Sequence, residues 1–361
     1  MLIEPFIFAV AAAMAVTISY GVAMFLAQAR QMLDQPNERS SHDHATPRTG
    51  GVAIMAGWVA GCFVITAFAG DAGAALKLAK IGLCAASAFV LGLADDRIGL
   101  SALWKLVGQI VVAAFFVVLF GPLTAIPLPF FGDVMLAPLW GVLLAILWIV
   151  GFMNAFNFMD GANGLAGGAA VAGLAWFSVA ASFAGAPVLA VAALLLALAA
   201  AGFLPENLVR GKLFMGDNGS LALGFLIAAF ALLGVKWTDG RLSALVAPVI
   251  FLPFLFDAAW TLVSRVLRGR NIFQAHREHL YQLLIRSGVS HARVAILYMA
   301  LISLSAAVAV LMLAMAPALQ WLAPLLLALF FSCGATAVYV HADRAGLLPT
   351  ARKDAAVQAA E

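Results

Sequence analysis

The sequence predicts an all-α protein that crosses a membrane about eleven times. Three observations carry this. Of the 361 residues, 65% are hydrophobic and only 10% are charged, far from the balance of a soluble domain. Apolar runs of about 20 residues, the length of helix that spans a hydrocarbon core of about 30 Å, fill nearly the whole chain. Finally, the basic residues fall in alternate loops, as the topology of a polytopic protein requires.

The first run, 4–28, has Glu4 at its start, Arg30 after it and no basic segment in front. It reads as a retained anchor with its N-terminus on the periplasmic side. Runs 50–70, 78–94 and 103–121 follow, divided by polar segments. Run 138–156 ends in an Asn- and Gly-rich stretch, and 164–183 and 187–204 are nearly continuous with each other. Run 219–235 begins just after a Gly-Asp-Asn-Gly turn, 243–263 carries an acid in its interior, and 294–315 and 319–340 close the series. Residues 1–345 are thus expected to form one transmembrane domain, and 346–361 a disordered tail.

With residues at the run ends counted in the adjoining loop, the loops after the odd-numbered runs, together with the tail, hold 16 of the 20 Lys and Arg; the even loops hold Lys77, Lys80, Lys236 and Arg241. The odd loops and the C-terminus are therefore assigned to the cytoplasm. A basic inner face suits lipid head groups or anionic soluble substrates. Cys62, Cys84 and Cys333 each lie alone in an apolar run, which argues against a disulfide framework or a thiolate metal site.

Five polar segments all follow odd-numbered runs and so share one membrane face, whichever way the protein is inserted. They are "DQPNERSSHDHATPRTGG" (34–51), "LADDRIGL" (93–100), "MNAFNFMDGANGLAGG" (153–168), "PENLVRGKLFMGDNGS" (205–220) and "RGRNIFQAHREHLYQLLIRSG" (268–288). Any one of them alone reads as a turn or a solvated charge pair. Together they bring Asp95, Asp96, Asp160 and Asp217 to one boundary, an arrangement that repels itself unless a cation is present. Hard oxygen ligands without cysteines favour Mg²⁺, with Mn²⁺ as the alternative, and Mg²⁺ commonly keeps phosphate oxygens in its shell.

Glycines fit a phosphate site. Gly161, Gly216 and Gly219 are expected at tight turns where a following helix offers free N–H groups to phosphate, whereas Gly167 and Gly168 are expected to pack helices. In the last segment Arg277 and His279 read as pyrophosphate contacts. Arg268, Arg270 and Arg286 divide evenly between that role and anchoring, and His276 with His279 lacks a third ligand for zinc. Asp257, inside the ninth run with Thr261 and Arg265 one and two turns on, is a functional suspect by position or the partner of a neighbour. His42 and His44 are expected to be exposed, and His291 and His341 to sit at the boundary.

In this order and on this topology, "NERSSHDHATPRTGG", "LGLADDR", "NAFNFMDGANGLAGG", "FMGDNGS" and "AHREHLYQLL" resemble the polyprenyl-phosphate N-acetylhexosamine-1-phosphate transferase superfamily. The resemblance implies transfer of a sugar 1-phosphate from a UDP-sugar to undecaprenyl phosphate in a bacterial inner membrane, with release of UMP and an active site on the cytoplasmic face. A homodimer is left open, and no nucleic-acid partner is implied. The chain looks closer to O-antigen initiators than to the lipid I enzyme, whose last motif has three histidines; here His279 is followed by Tyr281 and Gln282. The sugar therefore stays open.

By the same resemblance Asp217 and Asn157 would hold Mg²⁺, Phe214 would stack on uracil, and Asn207 would contact uridine. Arg210 and Gly211 stand where relatives often have Pro-Ala. Asn154 and Arg48 would bind substrate, Arg277 and His279 would grip the pyrophosphate, and Asp95, Asp96 and Asp160 would be catalytic acids. The rival class is a secondary transporter of an anion, which would place its acids near the bilayer midplane between repeats; no repeat is visible.

Overall fold

The computed structural model describes residues 4–29, 33–34, 46–128, 132–270, 276–316 and 319–348. His42, His44 and most of the expected tail lie outside the described residues. The chain is a helical bundle. α1 (Pro5–Gln28) is followed by the short antiparallel pair β1 (Leu33–Asp34) and β2 (Thr46–Pro47), then by α2 (Gly50–Phe68), α3 (Ala72–Ile98) and α4 (Ala102–Phe120). A hairpin of β3 (Ala125–Leu128) and β4 (Gly132–Met135) leads into α5 (Pro138–Met159), α6 (Leu165–Phe183) and α7 (Pro187–Leu204), which runs on into a π-helical turn, Pro205–Val209. α8 (Asp217–Trp237), α9 (Val246–Ile250), α10 (Leu252–Leu267), α11 (Leu280–Arg286), α12 (His291–Met312) and α13 (Leu322–Arg344) complete it.

Among the described residues, ten helices are long and apolar enough to cross a membrane. Ten of the eleven expected runs coincide with these, and the ninth, 243–263, is the exception. It is broken at Phe251 into helices of 5 and 16 residues. Pro253 is the cause: it lies in the first turn of α10, lacks an N–H, and its ring excludes the carbonyl four residues back.

Local signals set the other ends. Asp71 caps α3 by accepting the Ala74 N–H at 2.9 Å, and α1, α5 and α7 each begin with Pro in the first turn, where a missing N–H costs nothing.

α8 is the axis of the bundle: 94% of its apolar window is buried, and α2, α3 and α5 pack on it. Two glycines allow the helix backbones to touch. A Cβ on Gly92 of α3 would overlap the Asp217 carbonyl, and one on Gly224 of α8 would overlap the main chain at Phe152 and Met153 of α5. Small residues at such crossings let membrane helices approach closely enough for dispersion and backbone contacts to hold them. Gly92 lies one turn before Asp95 and Asp96, and Met153 just before Asn154 and Asn157. The two contacts therefore bring the end of α3 and the end of α5 against the start of α8.

Candidate active site

The centre of the site is a lysine. Lys105, near the start of α4, places Nζ 2.7 Å from Asp95 Oδ2 and 2.8 Å from Asp217 Oδ2, and 2.9 Å from Asn157 Oδ1. Asp95 Oδ1 accepts the Leu100 N–H at 2.8 Å, tying the carboxylate to the turn after α3. The Asn157 amide donates to Asp217 Oδ1 and, at 3.0 Å, to Ser220 Oγ. Two of the gathered carboxylates, Asp95 and Asp217, meet a cation that the chain itself supplies. Lys105 lies at the start of run 103–121, and none of the five polar segments includes it. Its signal was its place: a lone lysine near a helix N-terminus, where the helix dipole disfavours positive charge.

Asp96 has a different setting from its neighbour. Oδ1 accepts the Asp217 N–H at 3.0 Å and Oδ2 the Asn218 N–H at 2.9 Å, so the carboxylate caps α8. The free N–H groups expected after Gly216 for phosphate are thus taken by Asp96. The Asn218 side-chain amide also donates to the Arg48 carbonyl at 2.9 Å. Further bonds stitch the end of the first polar segment to the fourth: Phe214 N–H to Pro47 O at 2.8 Å and Gly50 N–H to Phe214 O at 2.8 Å. Of the three expected turn glycines, Gly216 has positive φ (74°). At Gly161 and Gly219 it is space that forbids a side chain, since a Cβ would meet the Tyr281 hydroxyl or Gly51 and Met215.

Asn154 and Asn207 are engaged inside the protein. Asn154 forms a reciprocal amide pair with buried Gln109 of α4, donating at 2.8 Å and accepting at 3.3 Å. Lys105 is one turn before Gln109 and Asn157 three residues after Asn154, so the pair sets the register between the two residues that meet at Asp217. Buried Asn207 accepts the Gly164 N–H at 2.7 Å and donates to Leu213 O at 2.9 Å. It thereby joins the turn after α5 to the segment before Phe214. Glu206 beside it pairs with Arg210.

Asp160 follows α5, half-buried. Burial, and then the nearby Asp217 and Asp96 carboxylates, push its pKa well above the ordinary carboxylate value. The last polar segment reaches this corner through Tyr281, whose hydroxyl donates to Phe158 O at 3.2 Å, and through the His279 ring, centred 6.2 Å from that of Phe158. Burial and the neighbouring Arg286 lower the pKa of Arg277. Burial, then His279 and Arg265, push His276 down to about 4.

The remaining arginines divide. Buried Glu278 binds Arg265, with Arg270 at 3.1 Å and Arg268 at 3.8 Å, while Arg286 donates to the Arg277 and Leu347 carbonyls at 3.0 and 2.7 Å.

The sequence matches glycosyl transferase family 4 over residues 78–235. A probable undecaprenyl-phosphate N-acetylglucosaminyl 1-phosphate transferase of Bacillus subtilis is 34% identical over 260 residues, 72% of this chain and 71% of the relative. The chain belongs to glycosyl transferase family 4. Another relative, a decaprenyl-phosphate N-acetylglucosaminephosphotransferase of Mycobacterium tuberculosis, is 34% identical over 302 residues, 77% of this chain and 74% of its own. A phospho-N-acetylmuramoyl-pentapeptide-transferase of Staphylococcus saprophyticus is 31% identical over 204 residues, 53% of this chain and 62% of its own. The glycosyl transferase family 4 match takes in Asp95, Asp96, Lys105, Asn154, Asn157, Asp160, Asn207, Phe214 and Asp217. Arg48, Arg277 and His279 lie outside it.

Proposed function

We propose that this protein transfers N-acetylglucosamine 1-phosphate from its UDP-linked form to undecaprenyl phosphate, releasing UMP and starting a cell-envelope glycan. The observation that carries the reading is the convergence of Asp95, Asn157 and Asp217 oxygens on one ammonium at one end of the bundle. An anionic pocket centred on a fixed cation handles phosphate charge. The names of the relatives supply the sugar and the class of lipid acceptor, and the family supplies the nucleotide donor.

In the reaction a non-bridging oxygen of the lipid phosphate attacks the sugar-bearing phosphorus, and the bond from that phosphorus to the UMP oxygen breaks. One pyrophosphate linkage replaces another, so catalysis reduces to placement and charge neutralisation. Lys105 draws the lipid phosphate to the Asp95 side of the site. The second pKa of a phosphate monoester is about 6, so most of the lipid phosphate is already dianionic at neutral pH, and Asp95 acts mainly by holding Lys105 and the attacking group in line. Arg277 and His279 take the charge of the leaving UMP. Phe214 offers its ring to uracil, and Arg48 and Asp160 contact the donor. Asp96, Asn154 and Asn207 act through the groups they hold. The Asp217 and Asn157 oxygens, which Lys105 bridges here, are hard donors of the kind that suits Mg²⁺ or Mn²⁺; an ion held by them in place of that contact would supply charge neutralisation at both phosphates.

The bias of basic residues supports a cytoplasmic side for this end of the bundle and for the C-terminus, and the bacterial relatives support an inner membrane. The test is transfer of label from UDP-N-acetylhexosamines to undecaprenyl phosphate by purified protein, in Mg²⁺ and in EDTA. Magnesium-dependent labelled lipid from UDP-N-acetylglucosamine is expected. No labelled lipid from folded protein, beside an active relative in the same assay, would refute the reading.

A further inference from the structure

The one acid in the ninth run is fully buried and takes no part in the Lys105 cluster. Asp257, on α10, has five partners. Oδ1 accepts the Leu280 N–H at 2.8 Å and the Thr261 hydroxyl at 3.3 Å, and it stands 3.3 Å from His279 Nδ1. Oδ2 accepts the Tyr298 hydroxyl at 2.6 Å and the Tyr281 N–H at 3.2 Å. Asp257 and Thr261 are 0% exposed, Tyr298 4% and His279 6%.

A buried carboxylate is costly unless its oxygens are well supplied with donors. Here the donors come from α10, α11 and α12, and all of them surround the residue that opens α11. The backbone side is fixed as well: the His279 N–H donates to Gln282 Oε1 at 3.2 Å.

We infer that Asp257 is a positioning residue for His279: through Nδ1 and the α11 N-terminus it fixes the imidazole so that Nε2 faces the diphosphate. A carboxylate oxygen can only accept, so its approach to Nδ1 favours a proton on that nitrogen and fixes the ring plane. The same oxygen that meets Nδ1 holds the Leu280 N–H, so ring orientation and loop position are set by one group. Partners of this kind behind a functional histidine commonly matter about 10- to 100-fold. The inference rests on the proposed role of His279 at the phosphates.

The experiment is a double-mutant cycle on the full-length protein with Asp257→Asn and His279→Ala, reading kcat and KM for lipid-linked product. Asp257→Asn keeps one acceptor oxygen and the side-chain volume. It is expected to lower kcat about 10- to 100-fold with KM for the nucleotide sugar nearly unchanged, and to lower it no further once His279 is Ala. Tyr298→Phe withdraws one donor from Oδ2; it should lower kcat by a smaller factor that also vanishes in the His279→Ala background, and it carries the test if Asp257→Asn does not fold.

Wild-type kcat in Asp257→Asn, or the same fold-loss with and without His279, would overturn the inference while leaving the transfer reaction intact. Full activity in His279→Ala would overturn it together with the role given to His279. Wild-type protein that makes no product would refute the transfer reading and this inference with it.

Discussion

Replacing Lys105 by Met tests whether the ammonium is the keystone of the site. Its distances to Asp95 Oδ2 and Asp217 Oδ2, 2.7 and 2.8 Å, together bound the separation of those oxygens at 5.5 Å. Two unit charges roughly 5 Å apart at an effective dielectric near 20 repel by about 3 kcal/mol. The side chains of Lys105, Asp95 and Asp217 are 17%, 8% and 28% exposed, so water screens part but not most of this. At 1.36 kcal/mol per tenfold, Lys105→Met is expected to lower kcat/KM about 100-fold or more. It should also lower the thermal unfolding midpoint in detergent.

Lys105→Arg keeps the charge but not the compact head that meets three oxygens, and should fall between. The decisive variant is Asp95→Asn with Lys105→Met. It removes the repulsion yet keeps an acceptor for the Leu100 N–H, so stability should recover while transfer stays lost. Lys105→Met within tenfold of wild type, or a double variant no more stable than Lys105→Met, would refute the reasoning.

The other predictions are independent of that one. Asn154→Gln and Gln109→Asn should each cut transfer by misplacing Asn157 and Lys105, and the two together, which restore the summed length of the amide pair, should recover much of it; a double variant worse than either single would sink the positioning role. Gly92→Ala pushes a Cβ into the Asp217 main chain, an overpacking expected to cost about 1–3 kcal/mol, read as a lower unfolding midpoint with reduced transfer. An unchanged midpoint would contradict the backbone contact. EDTA should abolish transfer and Mg²⁺ restore it, with Ca²⁺ inferior; full activity in EDTA would remove the metal from the scheme. His276 is held neutral, its pKa depressed from an ordinary 6.5 to about 4. Between those values the unfolded chain binds the extra proton, so this group's contribution is present above about 6.5 and is lost as pH falls towards 4. His276→Gln should therefore unfold with less pH dependence than wild type between pH 4 and 6.5, and identical slopes would refute the assignment.

The helices were legible because hydropathy in lipid is a one-dimensional code: a run of the right length must be a helix, as no other open backbone can cross. The ninth run shows where that code stops. Average hydropathy does not register that Pro253 denies one carbonyl its donor, and the break at Phe251 follows from that single missing N–H. The acids could be placed on one face because loop parity fixes the end of each helix at which they lie. What parity cannot fix is the direction of a side chain around a helix. Asn154 and Asn157 are three residues apart on α5, yet one meets Gln109 inside the bundle and the other meets Lys105 at its end. Asp95 and Asp96 diverge more sharply, one to an ammonium and the other to the α8 N-terminus. Adjacent residues on a helix are about 100° apart, so two neighbouring acids leave the helix in different directions and here meet different partners. A reading from sequence that gives such a pair a single role is therefore incomplete until the packing partner of each is known. For α3 that partner is set by Gly92, the residue that carries no chemistry.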